Sequence, residues 1–395
     1  MLDSRGDNIQ SRPSFLATLT SVAPSDARFA TEFVNGLLRV ARDAGSSDVH
    51  LDPTASGLDV RWRLDGVLQR LGQVPHEVAP NVIARLKVLA GLLTYEMARP
   101  QEGRICDSAL SVEVRVSTFP TLHGERAVLR LLSTNRQSLE SLAQLGLPPV
   151  VQGELDWTLS ATSGAVLIVG PAGSGKTTTA YACLRHIVSQ SNSGRSIASL
   201  EDPIEVAVDS VAQTQVNLAV DFDMATGLRS LLRLDPEVIF IGEMRDRSTA
   251  EVALQAALTG QLVVTTFHAG NCDDAVNRLI EIGIPPYAVR NAVRLVVAQR
   301  LVRRLCSCAQ PGDVEKDARA VGLEVHKCWV PGSCEMCHQT GYRGRSLVAE
   351  WRAMDGAVLP PIGDAQLWAS AERLVEEGVT SPLEAVRVLG LRRGA

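Results

Sequence analysis

The 395-residue sequence contains no long hydrophobic run and few aromatic residues, which make up 4% of it. Its longest uncharged apolar stretches, such as AVLIVG and LVVTTF, are far shorter than the roughly 20 residues that a membrane-spanning helix needs. The first residues, MLDSRGDNIQ, lack the apolar core of a signal peptide. These absences predict a protein that remains in the cytoplasm and has no transmembrane segment.

The sequence also lacks an excess of positive charge, low-complexity tracts and internal repeats. A net charge of −5 argues against a generally basic nucleic-acid-binding protein and makes nucleic acid a weak candidate, although one locally basic channel is compatible with it. Hydrophobic residues make up 45% and charged residues 21%, as in ordinary folded proteins. Because single cores rarely outgrow about 250 to 300 residues, we expect two or three domains.

The amino-terminal part predicts a small α+β domain. Apolar residues recur at helical spacing from Phe33 to Ala41, and the following sequence alternates like a hairpin around Asp65-Gly66. The predicted segments are a loose tail at 1–27, the small domain at 28–136, a linker at 137–150, a nucleotide-binding domain at 151–305, a cysteine-rich segment at 306–345 and a helical region at 346–395.

The second domain alternates buried strands with helical segments. The strand candidates AVLIVG, SIASLE, VIFIGE and QLVVTTF are separated by sequence long enough for crossover connections. This pattern is typical of a parallel sheet covered by helices, so the fold class is α/β.

A phosphate-binding loop is predicted from Gly170 to Thr177, where GPAGSGKT satisfies the pattern G-x-x-x-x-G-K-[ST]. An apolar strand leads into the loop and a helix leads out, which is the context that the motif requires. Its glycines let backbone amides turn towards phosphate oxygens, Lys176 reaches the β and γ phosphates, and the Thr177 hydroxyl binds Mg²⁺. The predicted nucleotide-binding residues are Gly170, Pro171, Ala172, Gly173, Ser174, Gly175, Lys176, Thr177 and Thr178.

Two groups of carboxylates follow predicted strands, and hydrolysis needs a carboxylate to position water. Glu243 follows VIFIG, at the strand end where ligands bind in open parallel sheets. Glu201, Asp202 and Glu205 follow the strand in SIASLE. A solvated strand end and an ordinary acidic turn are the structural alternatives.

The motifs together resemble those of the motor ATPases of type II secretion and type IV pilus assembly. The resemblance rests on GPAGSGKTTTAY, ASLEDPIE, LRSLLRLDPEVIFIGEMRD and ALTGQLVVTTFHA, and covers roughly residues 28–392. It implies a RecA-like P-loop NTPase domain with a parallel-rich sheet flanked by helices. It also implies a preceding small α+β (PAS-like) domain, a Cys-rich insert and a helical carboxyl terminus.

The resemblance implies roles for individual residues. Glu243 at the Walker B end polarises the attacking water, and Glu205 assists within an acidic box that begins at Glu201. His268, which ends the His box, senses the γ-phosphate. Four arginines neutralise charge on the γ-phosphate when the domains close, because guanidinium groups match phosphate oxygens. These are Arg115, Arg130, Arg229 and Arg233.

The same resemblance implies a homo-oligomer, in particular a hexameric ring, that hydrolyses MgATP and acts on an inner-membrane platform and on secretion or pilus assembly proteins. The protein is then peripheral at the inner membrane through its partners. About 27 tail-like residues precede the small domain, so docking through a further amino-terminal domain is not expected. Gln261 stands where the family pattern has a first histidine, which leaves only His268.

A structural Zn²⁺ site is predicted in the cysteine-rich segment. The knuckle C-E-M-C supplies two thiolates, Cys334 and Cys337, and C-S-C supplies Cys306 and Cys308. The second pair is one residue shorter than the family's usual C-x-x-C, and Cys328 is an alternative ligand. A fold without metal is the competing interpretation.

Two other functions fit the sequence. One is a DNA-transfer or nucleic-acid motor of related ring architecture, which DNA-stimulated, salt-sensitive hydrolysis would indicate. The other is a platform subunit that binds nucleotide with negligible turnover, which Gln261 and the short amino terminus favour.

Overall fold

The computed structural model describes residues 15–107, 112–133, 141–190, 194–354 and 365–392. The chain divides into two compact units, Met1–Gln137 and Ser138–Ala395. Among the described residues, none of the helices combines the length and the apolar character required for a membrane crossing.

Among its described residues, the first unit contains three helices and a six-stranded sheet. All strand pairs in it are antiparallel, in the order β3-β2-β1-β6-β5-β4. The elements are α1 (Phe15–Leu19), α2 (Phe29–Asp43), β1 (Asp48–Thr54), β2 (Gly57–Leu64), β3 (Val67–Pro75), α3 (Ala79–Leu89), β4 (Gln101–Asp107), β5 (Val112–Thr121) and β6 (Gly124–Ser133).

Helix α2 shows how the sequence builds this unit. Its apolar residues fall on one face at the 3.6-residue period, so Phe29, Phe33 and Leu37 are buried against the sheet. The hairpin predicted around Asp65-Gly66 is confirmed, since both residues have positive φ, 47° and 86°, as a tight hairpin turn requires. The first unit is therefore the α+β domain expected from the sequence.

The second unit contains a seven-stranded sheet in the order β15-β12-β7-β11-β10-β8-β9. All pairs are parallel except β12 with β15. The elements are α4 (Pro149–Leu159), β7 (Gly164–Val169), α5 (Lys176–Gln190), β8 (Ile197–Glu201), β9 (Ala212–Gln215), α6 (Met224–Leu231), β10 (Val238–Ile241), α7 (Arg247–Thr259), β11 (Leu262–Phe267), α8 (Cys272–Glu281), α9 (Pro286–Ala292), β12 (Val293–Leu305), β13 (Gln310–Pro311), β14 (Trp329–Val330), β15 (Tyr342–Ala353), α10 (Ala365–Glu376) and α11 (Pro382–Leu389).

The four strands predicted from apolar runs are confirmed as β7, β8, β10 and β11. Every residue of β7, β10 and β11 is buried, because helices cover both faces of a parallel sheet. Their carboxyl ends lie at one edge, and the segments that follow β7, β10 and β11 contain the glycine loop, Glu243 and His268, respectively. This edge is where the candidate site lies.

The structure corrects three of the predicted segment boundaries. The sheet of the second unit continues beyond residue 305, because β15 pairs with β12 over most of its length. Within the predicted tail, α1 places Leu19 in the core of the first unit. Within the predicted linker, Leu142 and Leu145 are buried on a short 3₁₀ helix that belongs to the second unit. Residues 1–14 and 137–140 of these two segments lie outside the described residues.

Candidate functional site

The glycine loop leaves β7 and enters α5 as the motif predicts. Lys176 is the first residue of α5, and its Nζ donates to the carbonyl oxygens of Gly170 and Pro171 at 3.0 and 3.1 Å. The loop is a close-fitting cradle, because a Cβ added at Gly170 would lie 2.5 Å from Ser174 Oγ. Gly175 has φ +87°, which side chains disfavour. Both glycines therefore occupy positions that a residue with a side chain would fit poorly.

His268 lies between Lys176 and Glu243 and contacts both of them. The Nδ1 atom of His268 is 3.5 Å from Lys176 Nζ, and its Nε2 atom is 2.6 Å from Glu243 Oε1. An Nδ1 atom with a lone pair can accept a hydrogen bond from the Lys176 ammonium. The Nε2 contact with Glu243 is a close approach only, since among the described residues Glu243 Oε1 has no hydrogen-bond partner. The structure thus brings together three residues that the sequence predicted separately.

Neighbouring strands hold Glu243 and His268 in place. The Thr266 hydroxyl donates to the carbonyl oxygen of Gly242 at 2.6 Å, and the Met244 N–H donates to the carbonyl oxygen of Thr266 at 3.0 Å. Arg245 Nε donates to Glu243 Oε2 at 2.9 Å. Because backbone and side chain are both fixed, Glu243 is aimed at the His268 side of the loop.

Burial dominates the electrostatics of Lys176 and lowers its pKa. The Glu243 carboxylate opposes that shift, and the guanidinium of Arg300 adds to it. A partly buried cation beside a carboxylate and a second cation is suited to binding a multiply charged anion.

Glu201 is a buried carboxylate with several hydrogen-bond partners. It is 2% exposed at the end of β8, the strand that pairs with β10. Its carboxylate accepts hydrogen bonds from Ser199 at 2.6 Å, from Gln213 at 2.9 Å and from Tyr181. Tyr181 lies on α5, so Glu201 anchors the helix that follows the phosphate loop.

The Tyr181 hydroxyl also organises the acidic box. It accepts hydrogen bonds from the backbone N–H groups of Glu205 and Val206 at 3.1 and 3.4 Å. Burial and the neighbouring Glu201 raise the pKa of Tyr181 well above its ordinary value, so it stays protonated. The Glu205 side chain is exposed.

The Tyr181→Phe substitution is expected to destabilise the protein by about 1 to 3 kcal/mol, because it removes a donor from a buried carboxylate. Chemical denaturation of both proteins measures this difference. Tyr287→Phe is the matched control, since Tyr287 is 61% exposed and should tolerate the change. Equal stability of Tyr181→Phe and the parent would contradict the anchoring role.

The predicted arginines are all on unit surfaces. Arg115 pairs with Glu102 at 2.7 Å and Arg130 with Asp48 at 3.0 Å, both in the first unit. Arg229 and Arg233 are exposed at and just after the end of α6.

Gln261 lies at the opposite end of β11 from His268. Its side-chain oxygen accepts a hydrogen bond from the Thr259 hydroxyl at 3.0 Å. Because β-strands rise about 3.3 Å per residue, the seven steps from Gln261 to His268 span roughly 23 Å. Glutamine at this position therefore leaves the contacts of Lys176, His268 and Glu243 unaffected.

The four predicted metal ligands form one cluster, in which all sulfur atoms lie within 4.8 Å of one another. The Cys306–Cys334, Cys308–Cys337 and Cys334–Cys337 sulfur pairs are 3.7, 3.9 and 3.6 Å apart. Tetrahedral zinc with Zn–S bonds of about 2.3 Å requires sulfur separations of about 3.8 Å. The shorter C-S-C spacing is therefore compatible with a four-cysteine zinc site, which does not include Cys328.

Hydrogen bonds join the two arms of the cluster. The Cys306 N–H donates to the carbonyl oxygen of Gly341 at 2.9 Å, and the Gly341 N–H donates to Cys337 Sγ at 3.2 Å. Burial opposes ionisation of Cys337, but hydrogen bonding at Cys334 and Gly341 prevails and lowers its pKa to about 6. A thiolate is the form that binds metal.

Comparison with known proteins identifies the family. The family model described as "Type II/IV secretion system protein" matches residues 24–387. The chain belongs to this family. It is 40% identical over 355 residues to type II secretion system protein E of Aeromonas hydrophila, with 88% of this chain and 70% of that protein covered. It is 37% identical over 367 residues to type II secretion system ATPase E of Vibrio cholerae, covering 91% and 71%.

A solved structure supports the fold of this secretion ATPase. The ATPase DotB of Legionella pneumophila superposes with a TM-score of 0.65 at 20% identity, covering 91% of this chain and 96% of DotB. The family resemblance and the fold class predicted from the motifs are thereby confirmed.

Sequence reasoning missed several residues around the site. These residues are Tyr181, which links α5 to Glu201, Gln299, which contacts the phosphate loop, and Arg300, which contacts the segment after His268. A signal was present for two of them, because Gln299 and Arg300 interrupt the apolar run of β12.

Proposed function

We propose that this chain binds and hydrolyses MgATP as the cytoplasmic motor of a type II secretion or type IV pilus assembly system. The contacts from Lys176 through His268 to Glu243, beside the glycine loop, carry this proposal. Membership of the secretion ATPase family supports it. We place the protein at the inner membrane, held there peripherally through its partners.

In this proposal the loop from Gly170 to Thr178 binds the triphosphate. Lys176 neutralises charge on the β and γ phosphates. Thr177 would hold Mg²⁺, which would supply further positive charge at the phosphates. Glu243 orients the attacking water and attracts one of its protons. His268, in contact with both Lys176 and Glu243, reports whether the γ-phosphate is present.

The remaining predicted residues have supporting roles. Glu205 assists through the groups that surround the Mg²⁺ ion, while Glu201 acts indirectly by anchoring α5. The arginines at 115, 130, 229 and 233 neutralise charge on the γ-phosphate in an assembled homo-oligomer, which we infer to be a hexamer. Force reaches secretion or pilus assembly proteins through an inner-membrane platform.

The test is MgATP turnover measured across protein concentrations at which sedimentation shows assembly. Turnover per subunit should rise about tenfold or more on assembly, because an arginine supplied by a neighbouring subunit accelerates phosphoryl transfer strongly. An assembled ring without turnover would instead indicate a nucleotide-binding platform. Stimulation by DNA, lost at high salt, would indicate a nucleic-acid motor.

We also propose that the cluster of Cys306, Cys308, Cys334 and Cys337 holds a structural zinc ion. All four positions are cysteines, so no coordination position is left open for a substrate. The ion would cross-link the end of β12 to the segment that precedes β15.

Replacing Cys334 with serine is expected to abolish stoichiometric zinc and to lower the melting temperature by several degrees, because ligand loss removes this cross-link. Elemental analysis and a thermal melt measure the two effects. Cys106→Ser is the matched control, since Cys106 is exposed in the first unit. Zinc bound equally by Cys334→Ser and the parent would refute the assignment.

A further inference from the structure

Two polar residues stand in the middle of an apolar strand next to the phosphate loop. Gln299 is fully buried on β12, and Arg300 follows it. The preceding residue, Ala298, is paired with Val169, the last residue of β7. Gln299 and Arg300 thus lie where β7 gives way to the phosphate loop.

Gln299 is hydrogen-bonded to the phosphate loop. Its Nε2 donates to the carbonyl oxygen of Ser174 at 2.9 Å. A Cβ added at Gly170 would lie 2.6 Å from the Gln299 carbonyl oxygen, and one added at Gly175 would lie 3.3 Å from Nε2. Among the described residues, Gln299 Oε1 has no hydrogen-bond partner. The hydrogen bond to the Ser174 carbonyl oxygen is therefore the polar contact that the Gln299 side chain makes.

Arg300 connects the loop support to the His268 segment. Its Nη1 donates to the carbonyl oxygen of Gln299 at 3.0 Å, and its Nη2 donates to the carbonyl oxygen of Gly270, two residues after His268. One planar guanidinium bridges both carbonyl groups, which an ammonium group cannot do with the same geometry. The positions of the phosphate loop and of His268 are thus coupled through one side chain.

We propose that Gln299 and Arg300 are positioning residues for ATP hydrolysis, a proposal that rests on the function inferred above. Gln299 fixes the phosphate loop in its binding conformation. Arg300 fixes the His268 segment relative to that loop. Neither residue is required to touch the nucleotide.

The two residues should then affect different kinetic constants. Loss of the Gln299 amide loosens the loop in ground state and transition state alike, which raises KM and Kd and leaves kcat nearly unchanged. Loss of the Arg300 bridge misplaces His268 and Glu243, which lowers kcat and leaves nucleotide binding intact. A general weakening of the fold would not produce this division.

The experiment uses the full chain with Gln299→Met, which keeps the side-chain length without a donor, and Arg300→Lys, which keeps the charge without the fork. For Gln299→Met we expect KM, and Kd for a fluorescent ATP analogue, to rise about tenfold with kcat within about twofold. For Arg300→Lys we expect kcat to fall about tenfold with Kd within about twofold. Arg294→Lys is the control, because Arg294 is exposed on the same strand.

Parent-like constants in both variants would overturn the proposal, as would losses that match the unfolded fraction in a thermal melt. If Gln299→Met does not fold, Gln299→Glu replaces the donor with an acceptor at the same length and should show the same rise in Kd. A parent that assembles but does not hydrolyse ATP would refute the proposed function and the Arg300 assignment, whereas the Kd of the Gln299 variants would still decide the loop-positioning role.

Discussion

Replacing Glu243 with glutamine is expected to reduce MgATP turnover by at least about 100-fold while nucleotide affinity stays within about threefold of the parent. The amide keeps the size of the side chain and can still accept from Arg245. The amide cannot attract a proton of the attacking water as a carboxylate does, and it presents no negative charge to His268. Turnover by phosphate release and affinity by fluorescent ATP titration measure the two quantities on the assembled protein.

Glu251→Gln is the matched control for this substitution. Glu251 makes an exposed i,i+4 ion pair with Arg247 on α7, so the same chemical change there should leave turnover unchanged. Undiminished hydrolysis by Glu243→Gln would show that another group positions the water. A parallel loss of ATP affinity would show that Glu243 acts in binding.

Removal of the Lys176 side chain should have the second largest effect. Lys176→Ala is expected to lower ATP affinity by about 10- to 100-fold, since a charge-assisted hydrogen bond contributes about 1.5 to 3 kcal/mol. Turnover should fall below detection at moderate ATP concentrations, because the charge that develops on the transferred phosphoryl group loses its nearest cation. Equilibrium titration and turnover over a wide ATP range measure both effects.

Lys316→Ala is the control for Lys176→Ala, because Lys316 is exposed on a short helical turn. The control should bind ATP like the parent. Parent-like affinity of Lys176→Ala would mean that the contacts of Lys176 with the Gly170 and Pro171 carbonyl groups serve the loop alone, and that phosphate is recognised by backbone amides.

Local sequence patterns predicted much of the fold and named the main residues of the candidate site. The glycine loop, Glu243 and His268 each follow an apolar strand directly, and parallel strands bring their carboxyl ends to one edge. The sequence predicted the three residues separately, and the structure places them in contact. The cysteine cluster was equally predictable, because its ligands are short-range pairs.

Long-range pairing was less predictable from the sequence. β15 joins the sheet beside β12 through an antiparallel pairing that skips the whole cysteine-rich segment, so the sequence order does not reveal it. Glu201 was predicted to take part in hydrolysis because acidic residues follow a predicted strand at that point. Its burial and its hydrogen bond from Tyr181 depend on how α5 packs against the sheet, which the spacing of residues in the sequence does not determine.

The bond between Gln299 and Ser174 spans 125 residues of chain. At a synthesis rate of about 5 to 20 residues per second, the ribosome adds those residues in about 6 to 25 seconds. During that interval the emerging polypeptide already contains the glycine loop but not the strand that supports it. The glycine loop of a nascent chain therefore gains its hydrogen bond from Gln299 only after translation has passed β12.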